Sequence, residues 1–128
     1  MSNAGVLPDP GPLVTYDFES LRYGFSINVI AAFHALQIFL PLASPDAVLL
    51  NISTNAAHID PVPGISAYAV SKAANLKMMD YFAAENPHIH VVNIQPGVVD
   101  TDMTRNVGVE GQDERERNVI PIRIFTCD

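Results

Sequence analysis

The chain has 128 residues and a formal net charge of -7, with seven Lys and Arg against fourteen Asp and Glu. So acidic a balance offers no basic face for nucleic acid or an anionic membrane, and an apolar fraction of 48% with mean hydropathy +0.18 excludes general disorder. The single Cys127 rules out an internal disulfide and suits a reducing compartment, so a cytoplasmic location is expected.

The chain opens without a basic-then-apolar leader, and no secretory signal is expected. Residues 6–16 are rich in Pro and Gly and read as a loop, after which Thr15 or Asp17 can cap a helical region reaching Leu42. Within it, residues 25–43 are almost continuously apolar and near membrane-span length. Asn28, His34, Gln37 and Pro41 interrupt the run and no basic flank orients it, so it reads as a helix buried on several sides of a soluble domain. Val29, Phe33, Leu36 and Leu40 keep helical spacing and form the expected packing stripe, while Ile30, Ile38 and Phe39 leave little of the other side polar.

Pro45-Asp46 turns the chain into a short buried strand over residues 48–54, which ends in the hydroxyls of Ser53 and Thr54. A loop with Pro61, Pro63 and Gly64 leads to a helix over residues 66–85, with Val70, Ala73, Leu76, Met79 and Ala83 as its expected buried face. Asn86-Pro87 stops that helix before a second strand over residues 90–96, which runs into Gly97. Strand, helix and strand make a crossover unit. In such sheets ligands sit at the carboxyl ends of the strands, where Thr54, Tyr68 and the Pro96-Gly97 turn would converge.

Tyr68 and Lys72 stand four apart, so a helix puts their polar ends on one face. A phenol titrates near pH ~10 and is a poor acid at neutrality, but an adjacent ammonium favours the phenolate and draws its pKa toward the working range. The spacing alone also fits a tyrosine packed on a lysine stem. The order of the surrounding elements gives it weight.

Taken in that order, the segments resemble the short-chain dehydrogenase/reductase family, and Pro61 to Lys72 resembles its fungal NAD(P)-binding members. Asn3-Ala-Gly5 resembles the turn after the family's fourth strand, and Asn28 its active-site asparagine. Residues 51–54 resemble the catalytic-serine strand, and residues 95–103 the Pro-Gly turn and following threonine. The resemblance implies an α/β fold, a partial Rossmann-type three-layer domain on a doubly wound parallel sheet, over residues 1–104. Residues 105–128 would be a divergent polar loop and an unsupported tail.

The same resemblance implies the chemistry: hydride transfer between nicotinamide and a small carbonyl or alcohol, with NAD or NADP as cofactor. Tyr68 would give or take the proton, Lys72 would lower its pKa and bind the nicotinamide ribose, and Thr54 would hydrogen-bond the carbonyl. Asn28 would hold a water linking Lys72 to solvent. Cofactor contacts are implied for Asn3, Ala4, Gly5, Tyr68, Lys72, Pro96, Gly97, Val99 and Thr101, and a homo-oligomer through the long helices. The family usually has serine where Thr54 stands; threonine keeps the hydroxyl but its β-branch restricts the rotamer. Ser53 is expected on the opposite face.

The departures matter as well. The seven glycines, at 5, 11, 24, 64, 97, 108 and 111, never form the G-x-x-x-G-x-G turn that cradles pyrophosphate in the family. Met1 falls just before the fourth-strand turn, and the chain resembles the middle of an enzyme. Two readings follow: an NAD(P)-dependent oxidoreductase, or a truncated, non-catalytic fragment serving as an interaction module. No metal site is expected, because His88 and His90 lack a third ligand close in sequence and Asp100, Asp102 and Glu110 lack calcium-loop spacing.

Overall fold

The computed structural model describes residues 1–58, 61–97 and 103, and the strand at 123–126 as backbone. Asp17 starts the first helical run by accepting a hydrogen bond from the Ser20 amide at 2.7 Å, as its position before an apolar stretch leads one to expect. Helix α1 (Phe18–Phe25) passes through a π-helical turn (Ser26–Ala31) into α2 (Ala32–Phe39) and a closing 3₁₀ turn (Leu40–Leu42). Asp46, with φ 62°, reverses the chain into β1 (Val48–Ile52). Helix α3 (Ser66–Glu85) and β2 (His90–Gln95) complete the crossover.

Strands β1 and β2 pair in parallel with Asn51 beside Asn93, and Ser2 adds an isolated parallel bridge on the far side of β1. Both hydrogen bonds of that bridge involve Ser2, at 2.6 Å to Leu50 and 2.9 Å from Ile52. The segment after it, Asn3 to Gly5, therefore leaves the sheet at its carboxyl edge. A third strand, β3 (Arg123–Thr126), lies antiparallel against β2. The expected unsupported tail is corrected at residues 123–126 alone, since the open edge of β2 offers backbone partners to an extended segment, while 105–122 and 127–128 lie outside the described residues. The sheet is thus parallel in its crossover and antiparallel at one edge.

The core lies between α3, α2 and one face of the sheet, where Leu36, Leu49, Met79, Phe82, Ile89 and Val91 pack together. Alternation along the strands sends Leu49, Asn51, Val91 and Asn93 to that face and leaves Leu50, Ile52, Val92 and Ile94 half-buried on the other. Both helix faces agree with expectation only in part: Leu36 and Met79 are buried and Leu40 and Ala83 pack against the core, but the rest differs. In the first run the buried stripe is Gly24, Asn28, Ala32 and Leu36, while Phe33 is 44% exposed and Ile38 66%. In α3 the buried face is Ala67, Ser71, Lys72, Asn75, Met79 and Phe82, and Val70 and Ala73 point outward. Apolarity misled because α3 turns its polar residues inward.

The run Phe18–Leu42 is long and apolar enough to cross a membrane by length and composition, with 17% of its most apolar window buried. It is not buried on several sides, because α3 and the sheet cover only its inner stripe. Gly24 is required there: a Cβ on it would lie 2.7 Å from Pro8 Cγ.

Candidate active site

Tyr68 sits in the first turn of α3, half-buried, at the carboxyl end of β1. The chain reaches it through Gly64, whose φ of 91° suits glycine and whose carbonyl accepts the Gly11 amide at 2.8 Å. Thr54 lies two residues beyond β1 and caps a 3₁₀ turn (Asn55–Ala57) by accepting from the Ala56 amide at 3.3 Å. Its side chain also stands beside Tyr68, close enough for its hydroxyl to act on the phenol. Helix and strand end thus bring together two residues fourteen positions apart, and Thr54 is the hydroxyl at the phenol. Ser53 is buried, and its Oγ has no hydrogen-bond partner among the described residues.

The phenol lies above its ordinary pKa, raised chiefly by burial and pulled the other way by Thr54. The lowering expected from Lys72 is absent from this arrangement. Lys72, only 8% exposed, sends Nζ to the Ile52 carbonyl at 2.7 Å, and burial lowers its own pKa. An ammonium has three donors, so two remain for ligand or water. Burial disfavours both charged forms, phenolate and ammonium.

Asn28 is 2% exposed in the π-helical turn. Its Oδ1 accepts from the Val6 amide at 2.8 Å, and its Nδ2 donates to the Val6 carbonyl and to Ser71 Oγ, both at 2.9 Å. Ser71 in turn donates to the Tyr68 carbonyl at 2.8 Å. Both amide protons are spent, so a water held by Asn28 must sit on a carbonyl lone pair. The Val6 bonds pin the segment holding Asn3, Ala4 and Gly5, and a Cβ on Gly5 would stand 3.4 Å from Asn28 Oδ1.

Pro96 is exposed just beyond β2, and Gly97 turns the chain with φ 82°. Val99 and Thr101 lie outside the described residues. Three buried amides absent from the expected site are Asn51, Asn75 and Asn93, joined by hydrogen bonds of 3.0 and 2.8 Å from Asn51 Nδ2. Their signal was available: each strand carries one Asn in the middle of an apolar run, and a polar residue there needs a buried partner. Among the described residues no cluster of three His, Cys, Asp or Glu could hold a metal.

Comparison with known proteins agrees with this geometry. The short chain dehydrogenase family profile matches residues 1–111. An uncharacterized oxidoreductase of Schizosaccharomyces pombe is 31% identical over 101 residues, which cover 79% of this chain and 41% of the relative. The benzil reductase ((S)-benzoin forming) of Saccharomyces cerevisiae is 32% identical over 117 residues, covering 84% of this chain and 44% of that protein. Among solved structures, a short chain dehydrogenase from Shigella flexneri superposes with TM-score 0.78 at 30% identity, covering 90% of this chain and 46% of its own. The chain spans less than half the length of each of these relatives. With the profile matched through the crossover and Tyr68 and Thr54 brought together at its carboxyl end, the chain belongs to the short chain dehydrogenase family.

Proposed function

We propose that these residues form the catalytic and nicotinamide-side part of an NAD(P)-dependent oxidoreductase acting on a small carbonyl or alcohol. The observation that carries the reading is the half-buried Tyr68 in the first turn of α3 with the Thr54 hydroxyl beside it, and Lys72 one turn on, bonded to the Ile52 carbonyl at the end of β1. Tyr68 would pass its proton to the substrate oxygen, and Thr54 would hydrogen-bond that oxygen and orient it. Lys72, held at the end of β1 by the Ile52 carbonyl, would bind the nicotinamide ribose through its remaining donors. Asn28 would hold the water through which the proton is replaced. NAD or NADP, when bound, would supply or accept the hydride.

The residues present fit one end of such a cofactor. Asn3, Ala4 and Gly5 leave the sheet at the carboxyl edge and lead into Val6, which Asn28 holds, and the Pro96-Gly97 turn follows β2 at the same edge. Val99 and Thr101 would complete that side. No Gly-rich turn for the pyrophosphate occurs in these 128 residues. The lone Cys127 supports a reducing, cytoplasmic setting.

The test is a chimera in which residues 2–97 replace the matching segment of a complete relative. Cofactor-dependent carbonyl reduction that disappears in Tyr68→Phe is the expected result. A chimera that binds cofactor without turnover, or turns over equally well with Phe at 68, overturns it.

The missing phosphate turn favours a second reading for the 128 residues alone, a non-catalytic interaction module. Titration calorimetry separates the two. Negligible binding of NAD(H) and NADP(H) at micromolar concentration is expected for the isolated chain, and saturable binding would remove the second reading. We further propose a homo-oligomer through the outer faces of α2 and α3, where Phe33, Ile38, Val70 and Tyr81 are exposed.

A further inference from the structure

We propose that Asn75 is a positioning residue of the active site, fixing the Asn28 carbonyl and, through Asn28, the Val6 segment; the catalytic part of this inference rests on the reading above. Asn75 is 4% exposed and lies on α3 three residues beyond Lys72, on the same inward face. Its Nδ2 donates to the Asn28 carbonyl at 2.8 Å. Its Oδ1 accepts from Asn51 Nδ2 at 3.0 Å, and Asn51 donates its other proton to Asn93 Oδ1 at 2.8 Å. The amide of Asn75 is therefore oriented by the strands before it reaches Asn28.

The backbone explains why a donor is needed there. In a regular α-helix the Ala32 amide would bond the carbonyl four residues back, which is Asn28. At the end of the π-helical turn it bonds Val29 instead. A buried carbonyl that loses its α-helical donor gains from another, and Asn75 Nδ2 donates to this one. With one lone pair held by Asn75, which lies on the α3 face that carries Lys72, the direction left for a water on that carbonyl is fixed. Asn28 cannot pivot to seat that water elsewhere, because its side chain is tied to Val6 and Ser71.

Two substitutions isolate the donor. Asn75→Asp keeps size and the acceptor for Asn51 but at neutral pH has no proton to give Asn28, and Asn75→Leu removes donor and acceptor together. The readout is hydrogen–deuterium exchange resolved to single amides in the full 128-residue chain, which requires neither cofactor nor turnover. Both variants should lose about tenfold or more of the protection at the Val6 amide, while amides in the β1–β2 ladder keep theirs. In Asn75→Asp the Val6 protection factor should recover as acid protonates the introduced carboxyl and restores a donor.

Val6 protection unchanged in both variants overturns the proposal, and so does protection lost equally at Val6 and in the ladder, which marks a general stability effect. Should the variants not fold, the wild-type side-chain amide of Asn75 decides: exchange slowed at least tenfold against a free amide supports the bond, and free-amide exchange overturns it. Failure of the chimera's hydride transfer with Val6 responding as stated would sink the oxidoreductase reading and leave the positioning role standing.

Discussion

Tyr68 carries the one side-chain proton that the proposed chemistry transfers, so its removal is the sharpest residue-level test. In the active chimera Tyr68→Phe should cut turnover by about 10²-fold or more, while Thr54→Ser should keep activity and Thr54→Ala lose much of it. Equal rates for Thr54→Ala and the parent would take Thr54 out of the site. The pH dependence follows from the two burial shifts. Tyr68, raised in the folded chain, contributes stability that is full below the unfolded value near pH ~10 and is lost as pH climbs through the folded value. Lys72 is lowered, so its buried ammonium costs stability below its folded value, and the cost is relieved as pH rises toward the unfolded value near ~10.4. A spectroscopic titration of phenolate absorbance should therefore show two tyrosines, Tyr16 and Tyr68, ionising above pH ~10, of which one is lost in Tyr68→Phe. Ionisation of that tyrosine near neutrality without cofactor would mean that Lys72 acts on the phenol after all.

At the scale of elements, the boundaries were legible and the faces only in part: Leu36 and Met79 are buried as their spacing predicts, but the polar residues beside them are not foreseen. The helix over residues 66–85 and both strand starts follow from Gly64, Asn86-Pro87 and two short apolar runs, because chain reversal and helix arrest are local events. Which side of α3 turns inward is decided by tertiary partners. Ser71, Lys72 and Asn75 are buried because Asn28, the Ile52 carbonyl and Asn51 satisfy them, and no periodicity of apolar residues encodes that. The Tyr68–Lys72 pair was readable from its spacing, whereas the Lys72 bond to Ile52 depends on where β1 ends. Two stability changes check the packing by chemical denaturation. Met79→Ala, at a fully buried core position, should cost about 2–5 kcal/mol. Gly24→Ala should cost about 1–3 kcal/mol through the contact with Pro8, and a neutral result would show that the Pro-rich loop yields freely.

For the whole molecule the decisive feature is the contrast between the two sides of its helices. The inner side is closed by hydrogen-bonded amides and a small apolar core, while the outer side carries a shallow apolar groove between α2 and α3 lined by Phe33, Leu36, Leu40, Met78, Tyr81 and Phe82. Ile30 and Ile38 extend this surface along the first helical run, half or more exposed. Burying such a face against a second copy gains roughly 25 cal/mol per Å² of apolar area, and specific interfaces reach about 800 Å² per partner. Sedimentation should accordingly show the chain as a dimer or larger discrete assembly. Phe33→Glu and Tyr81→Lys, which place charge in the groove without touching Tyr68, Lys72 or Asn28, should each shift it toward monomer. Val14→Glu is the control, since Val14 is 97% exposed in the Pro-rich loop away from the groove. A wild-type monomer at about 100 µM, far above the micromolar range of ordinary complexes, would leave this face without a partner of its own kind. Equal dissociation by Val14→Glu would show that association arises from general exposure of apolar residues and not from the helix faces.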